Sequence, residues 1–207
     1  MSVEAVFFDI GGVVAKCDLE QYAPMAAKIF DSTEDSIRAE VQARVASLEI
    51  GKTDATTFWE DVGLGLQQKG VGKLPPESRY HNLWLKALKA HLKLDINLIN
   101  LCWSLQRKGL VIGALSNTIE EHAEHLAQIG TYQPFKPCIL SYLVGLRKPD
   151  AAIYKLAAKK AGKPIKKCLL IDDLESNVTG ARQAGMQGFL YTDLPGLLIE
   201  LNRLKLL

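Results

Sequence analysis

Three apolar runs in this chain each stop abruptly at a polar residue, and that pattern restricts the fold more than any other feature. Ala5-Val6-Phe7-Phe8 ends in Asp9, followed by Ile10-Gly11-Gly12; Val111 to Leu115 ends in Ser116-Asn117-Thr118; Cys168 to Ile171 ends in Asp172-Asp173. Unbroken apolar runs of this length read as strands buried on both faces of a parallel sheet, where ligands bind beyond the carboxyl ends. Taken singly, each acid reads as a turn cap, Asp9 beside two glycines above all.

The segments from Asp95 onward alternate helical and strand patterns, as crossover helices on a parallel sheet require. Leu98, Cys102 and Leu105 predict a helix ending near Gly109, and Thr118 with Glu121 reads as a capping box for the next helix. A short apolar segment, Cys138 to Tyr142, precedes Gly145-Leu146-Arg147-Lys148-Pro149-Asp150, which places Lys148 in a loop before a helix capped by Asp150 and carrying Ile153 and Leu156. A helix from about Ser176 to Gly185, a strand Gly188 to Tyr191 and a leucine-rich helix close the chain. The expected fold is α/β: a Rossmann-like parallel sheet with helices on both faces.

Residues 19 to 93 have a different character, with no β-branched runs and apolar residues at helical spacing. One stripe is Leu19, Tyr22, Ala26 and Ile29. Ser32 or Thr33 caps a second helix carrying Ile37, Val41, Val45 and Leu48 up to Gly51, and Asp54 caps a third with Phe58, Val62 and Leu66. After Pro75-Pro76, Tyr80, Trp84, Leu88 and Leu92 line a fourth. The expected organisation is an α/β core of residues 1–17 and 95–207 with a helical insertion at 18–94.

Composition excludes several classes. With 48% hydrophobic residues, 23% charged residues and a formal charge of +2 in 207 residues, the chain has neither the charge of a nucleic-acid binder nor the composition of a disordered one. Its densest basic stretch, lysines 155, 159, 160, 163, 166 and 167, has no interleaved aromatics and reads as a solvated helix face. No apolar run reaches the roughly 20 residues that span a bilayer, and Glu4 stands where a secretion signal would be basic. The four scattered cysteines form no Cys-x-x-Cys pair and read as reduced thiols. A cytoplasmic protein with no nucleic-acid or membrane partner is expected.

A parallel sheet puts Asp9, Ser116 and Asp172-Asp173 on one edge, with Lys148 beside them. Carboxylates gathered in this way need a hard cation or a shared proton, and oxygen ligands of this kind suit Mg²⁺. A hydroxyl and an ammonium alongside can hold phosphoryl oxygens, a combination suited to phosphoryl transfer. His122 and His125, three apart on one helix without further ligands nearby, read as an exposed face rather than a metal site. Trp59 and Trp84 read as core of the helical insertion.

In order, spacing and context, these four segments resemble the motifs of the haloacid dehalogenase superfamily. Leu-Ser-Asn-Thr, Gly-Leu-Arg-Lys-Pro-Asp and Ile-Asp-Asp-Leu-Glu-Ser-Asn-Val-Thr-Gly-Ala look most like the branch containing the phosphatase domain of soluble epoxide hydrolase and bacterial hexose-phosphate phosphatases. The resemblance implies a Mg²⁺-dependent phosphatase for a small phosphorylated molecule such as a sugar phosphate, with residues 18–94 as a mobile cap. It implies Asp9 as nucleophile, Ser116 and Asn117 as holders of the transferring group, and Lys148 as the neutralising charge. The metal would lie on Asp9, the Gly11 carbonyl, Asp172 and Asp173, with Asn177 orienting the acidic pair.

One residue departs from that pattern. Phosphatases of the superfamily usually carry a second Asp two positions after the nucleophile to protonate the leaving oxygen, and here that position is Gly11. General-acid help is worth roughly 10²–10⁴ in rate, so slow turnover is expected, with Asp18 a candidate substitute donor. The same gap admits two other readings: a 2-haloacid dehalogenase, which needs no leaving-group acid, and a non-catalytic phosphate-binding member of the family.

Overall fold

The computed structural model describes residues 2–16 and 19–207; Cys17 and the candidate donor Asp18 lie outside the described residues. In chain order the elements are β1 (Ala5–Phe8), β2 (Ala15–Lys16), α1 (Tyr22–Phe30), α2 (Glu34–Glu49), α3 (Ala55–Gln68), α4 (Leu83–His91), β3 (Lys93–Leu94), α5 (Ile96–Arg107), β4 (Val111–Ser116) and α6 (Glu120–Gln128). Then follow β5 (Cys138–Leu140), α7 (Ser141–Val144), α8 (Ala151–Ala161), β6 (Cys168–Asp172), α9 (Glu175–Gln183), β7 (Gln187–Leu190) and α10 (Leu194–Arg203).

The main sheet has the order β5-β4-β1-β6-β7, and every neighbouring pair in it is parallel. Because side chains alternate across a strand, β1 sends Val6 and Phe8 to one face and Ala5 and Phe7 to the other. The first face is closed mainly by α5 and α10 through Leu98, Cys102, Leu105, Leu197 and Leu201. The second is closed by α8 and α9 through Ile153, Tyr154, Ala157 and Ala181. Both sides of β1 are therefore dry, which is why its sequence shows no polar alternation.

Helices α1 to α4 bury a separate apolar cluster, rich in aromatics: Phe30, Phe58, Trp59, Tyr80 and Trp84 meet there, joined by Ile119 from the α/β part. The chain enters and leaves this block through β2 and β3, which pair antiparallel, Ala15 with Leu94 and Lys16 with Lys93. Asp54 caps α3 through the Thr57 N–H, as the sequence predicts, and of the two candidates Ser32 and Thr33 it is Thr33 that caps α2, through the Ser36 N–H.

The fourth helix is shorter than its apolar stripe. Asn82 takes a left-handed conformation (φ 58°), so α4 begins at Leu83, and Tyr80 is buried in the preceding turn. The Thr118/Glu121 capping box does not form either. Helix α6 starts at Glu120 with Ile119 as its uncapped N-terminal neighbour, while Thr118 is drawn away by Ser141, whose hydroxyl accepts from the Thr118 N–H (2.9 Å) and donates to its carbonyl (3.1 Å). Glu121 instead faces α4: burial raises its carboxyl, and the Leu85 N–H in the first turn of that helix is among the groups that oppose the rise.

Candidate active site

Register sets the stage for the chemistry. Phe8 lies opposite Ala114 on one side and Ile171 on the other, so Asp9, Ser116 and Asp172 emerge together at the carboxyl edge of the three central strands. Asp9 is held there by its N–H, which donates to the Ile171 carbonyl (2.9 Å), and one oxygen of its side chain accepts from the Ile10 N–H (2.7 Å). The following turn is closed by Ala15 N–H on the Ile10 carbonyl (2.7 Å) and Gly12 N–H on the Ala15 carbonyl (3.1 Å).

Lys148 reaches this edge from the loop before α8 and is only 1% exposed. Its ammonium lies 2.9 Å from Asp9 Oδ2 and 2.5 Å from Asp172 Oδ2. The second oxygen of Asp172 accepts from the Leu174 N–H (3.0 Å) and from Asn177 Nδ2 (2.9 Å). Asn177 therefore orients Asp172, and Tyr154 steadies that arrangement by donating its hydroxyl to the Asn177 carbonyl (2.8 Å).

Asp173 completes the cluster: Asp9, Asp172 and Asp173 each offer a carboxylate oxygen within 4.8 Å of the others. It can approach because residue 12 is glycine. Gly12 has φ +76°, and a Cβ there would lie 2.1 Å from Asp173 Oδ2. Gly11 differs, since a Cβ at that position meets nothing within 4 Å.

Three carboxylates face one ammonium in a buried site, and the electrostatics follow from that imbalance. Burial pushes the Asp9 carboxyl up to about 7; Asp172 and Asp173 push in the same direction, while Lys148 opposes them. Asp173 is raised by burial and by Asp172. Burial works to lower Lys148, yet Asp9 and Asp172 outweigh it and keep the ammonium charged. An all-oxygen donor set with excess negative charge fits a hard dication of the Mg²⁺ type.

Ser116 is buried at the end of β4, and its hydroxyl makes only a long 3.5 Å hydrogen bond to the Asn117 carbonyl. The Asn117 carboxamide, expected from the sequence to hold the transferring group, has another partner. It accepts from the Lys148 N–H (2.8 Å) and donates to the Lys148 carbonyl (3.0 Å), fastening the lysine loop to β4.

His122 is buried, not exposed as its sequence context indicates, because α4 packs over α6. Its Nε2 lies 3.1 Å from the Trp84 carbonyl, which can only accept, so Nε2 carries the proton. Ser141 and the pair Glu49–Arg147 (2.7 Å) carry no signal in the sequence. No periodicity marks them, because each partner lies in a distant segment.

The model of the haloacid dehalogenase-like hydrolases matches residues 3–185. The chain belongs to that family. Phosphatase MT3486 of Mycobacterium tuberculosis is 34% identical over 87 residues, 41% of this chain and 40% of that protein. Bifunctional epoxide hydrolase 2 of Sus scrofa is 24% identical over 98% of this chain and 39% of its own length. The chain thus matches about two fifths of each of these relatives. The HAD family enzyme bt-2542 of Bacteroides thetaiotaomicron shares the fold with a TM-score of 0.78 at 21% identity, covering 96% of this chain and 99% of the other. That enzyme has also been crystallised with magnesium and inorganic phosphate. Among the described residues of this family member, no helix is long and apolar enough to cross a membrane.

Proposed function

We propose that this hydrolase is a Mg²⁺-dependent phosphatase acting on a small phosphomonoester, such as a sugar phosphate, through an aspartyl phosphate on Asp9. The observation that carries the reading is the buried Asp9 carboxylate, held against Lys148 and beside Asp172 and Asp173. Asp9, the Gly11 carbonyl, Asp172 and Asp173 would hold the ion, which supplies charge neutralisation for the phosphoryl oxygens. Asp9 attacks phosphorus as the ester P–O bond breaks, the leaving oxygen takes its proton from water because Gly11 offers none, and water then hydrolyses the aspartyl phosphate to inorganic phosphate; Ser116 donates its hydroxyl to a phosphoryl oxygen, and Lys148 balances the charge gathered there. Asn117 keeps Lys148 in place.

The catalytic groups are enclosed: Asp9 is 7% exposed, and Ser116, Lys148 and Asp172 less. The cleft of about 530 Å³ between the α2–α3 loop and α6–α7 is lined by none of them. A substrate therefore needs the helical block to open, which supports residues 18–94 as a cap that excludes water once closed. With Gly11 offering no proton, esters of poor leaving groups are turned over slowly. The metal-type carboxylate cluster weighs against a 2-haloacid dehalogenase, whose reaction has no use for it.

The test is hydrolysis of an activated aryl phosphate with Mg²⁺ by the parent and by Asp9→Asn. Repeated turnover that Asn abolishes is the expected result. Equal rates would overturn the nucleophile assignment, and ligand binding without turnover of any phosphomonoester would establish a non-catalytic member.

A further inference from the structure

Besides Ile119, two sets of contacts among the described residues join the cap to the α/β core. At the start of α4, His122 Nε2 donates to the Trp84 carbonyl (3.1 Å), and the neighbouring Glu121 carboxyl faces the Leu85 N–H. The second set is at the far end of α2.

Helix α2 ends at Glu49 and has no basic residue in its last turn. A carboxylate there is unfavourable, because the free carbonyls of a helix C-terminus carry partial negative charge. The core supplies the missing cation: the Arg147 guanidinium lies 2.7 Å from Glu49. Their side chains are 34% and 19% exposed, against 39% to 100% in the Arg38 pairs on the surface of the same helix, so the Glu49 pair is the less solvent-screened. Gly51, just beyond, touches the core backbone, for a Cβ there would lie 2.4 Å from the Tyr142 carbonyl oxygen.

Arg147 immediately precedes Lys148, whose backbone Asn117 holds from the core side. We infer that Glu49 is a positioning residue acting through Arg147: closure of the cap brings Glu49 onto Arg147 and fixes the Lys148 loop from the cap side as well. Burial raises the Glu49 carboxyl while Arg147 and Lys148 oppose that rise, so the packed state can hold a charged Glu49 only with the guanidinium beside it. Ligands that need Lys148 in place are then linked to closure. This inference rests on the reading of residues 18–94 as a cap.

The experiment compares Glu49→Gln, Arg147→Gln, the double variant and the exchanged pair Glu49→Arg/Arg147→Glu in the full chain. Amide hydrogen exchange without substrate is expected to rise about tenfold in residues 50–54 and 142–147 of each single variant, while β1 and β6 are unchanged. With Mg²⁺ and an aryl phosphate, KM rises about tenfold as the closed fraction falls. The double variant does no worse than either single one, and the exchanged pair recovers part of the loss. Additive effects, unchanged exchange in both segments, or a rise that includes β1 and β6 would overturn the inference. A parent without phosphatase activity would refute the proposed function alone, since the exchange measurement still decides the contact.

Discussion

Asn117 and Lys148, 31 positions apart, are joined at both ends of one peptide unit pair: the Asn117 side chain accepts from the Lys148 N–H and donates to its carbonyl. The lysine's backbone is thereby part of β4's carboxyl edge. Its ammonium is placed by that frame as much as by Asp9 and Asp172.

Removing the frame in Asn117→Ala should destabilise the protein by about 2 kcal/mol, the worth of two hydrogen bonds to a buried segment. Because Lys148 then loses its position, kcat should fall by about 100-fold. Urea denaturation and aryl phosphate hydrolysis measure the two effects separately. A stable variant with parental kcat would show that the lysine needs no such support.

Gly12→Ala should cost about 1–3 kcal/mol from the left-handed backbone alone, and the new Cβ would displace Asp173. Mg²⁺ affinity, read by titration calorimetry, should drop with it. In an Asp173→Ala background the steric part disappears, so the two substitutions should be markedly non-additive.

At Gly11 the first carbon of an introduced Asp side chain is accommodated, since a Cβ there has nothing within 4 Å. If the missing acid limits turnover, this substitution should speed hydrolysis of alkyl phosphates, by at most roughly 10²–10⁴, and change activated aryl phosphates far less. An unchanged dependence on leaving-group pKa would count against the assigned consequence of glycine at this position.

Two buried groups give the metal-free protein opposing pH dependences. Burial lowers His122 from 6.5 to about 4, so the folded state binds fewer protons than the unfolded one, and stability is lost as pH falls from 6.5 to 4. Burial raises Asp9 from 3.8 to about 7, so the folded state binds more, and stability is lost as pH rises from 4 to 7. Between pH 4 and 6.5 the two dependences oppose each other. His122→Gln, which keeps a donor for Trp84, should expose the Asp9 slope, and Asp9→Asn the His122 slope. Urea denaturation in a chelator at pH 4.5 and 6.5 should therefore show the two variants tilting in opposite directions relative to the parent.

What the sequence by itself determined was the part governed by local pattern: apolar runs long enough for doubly buried strands, helical stripes with Ser32 or Thr33 and Asp54 as caps, and polar residues at the strand ends. Parallel pairing then brought Asp9, Ser116 and Asp172 to one edge without further information, because strand direction decides which ends meet. Only the tertiary structure decided what each polar side chain touches. Asn117 faces the Lys148 backbone, Glu121 faces the first turn of α4 rather than capping its own helix, His122 lies beneath α4, and Glu49 meets Arg147. Each of these partners comes from a segment whose distance along the chain leaves no periodic trace, and a buried polar group takes whichever complementary partner packing brings within reach.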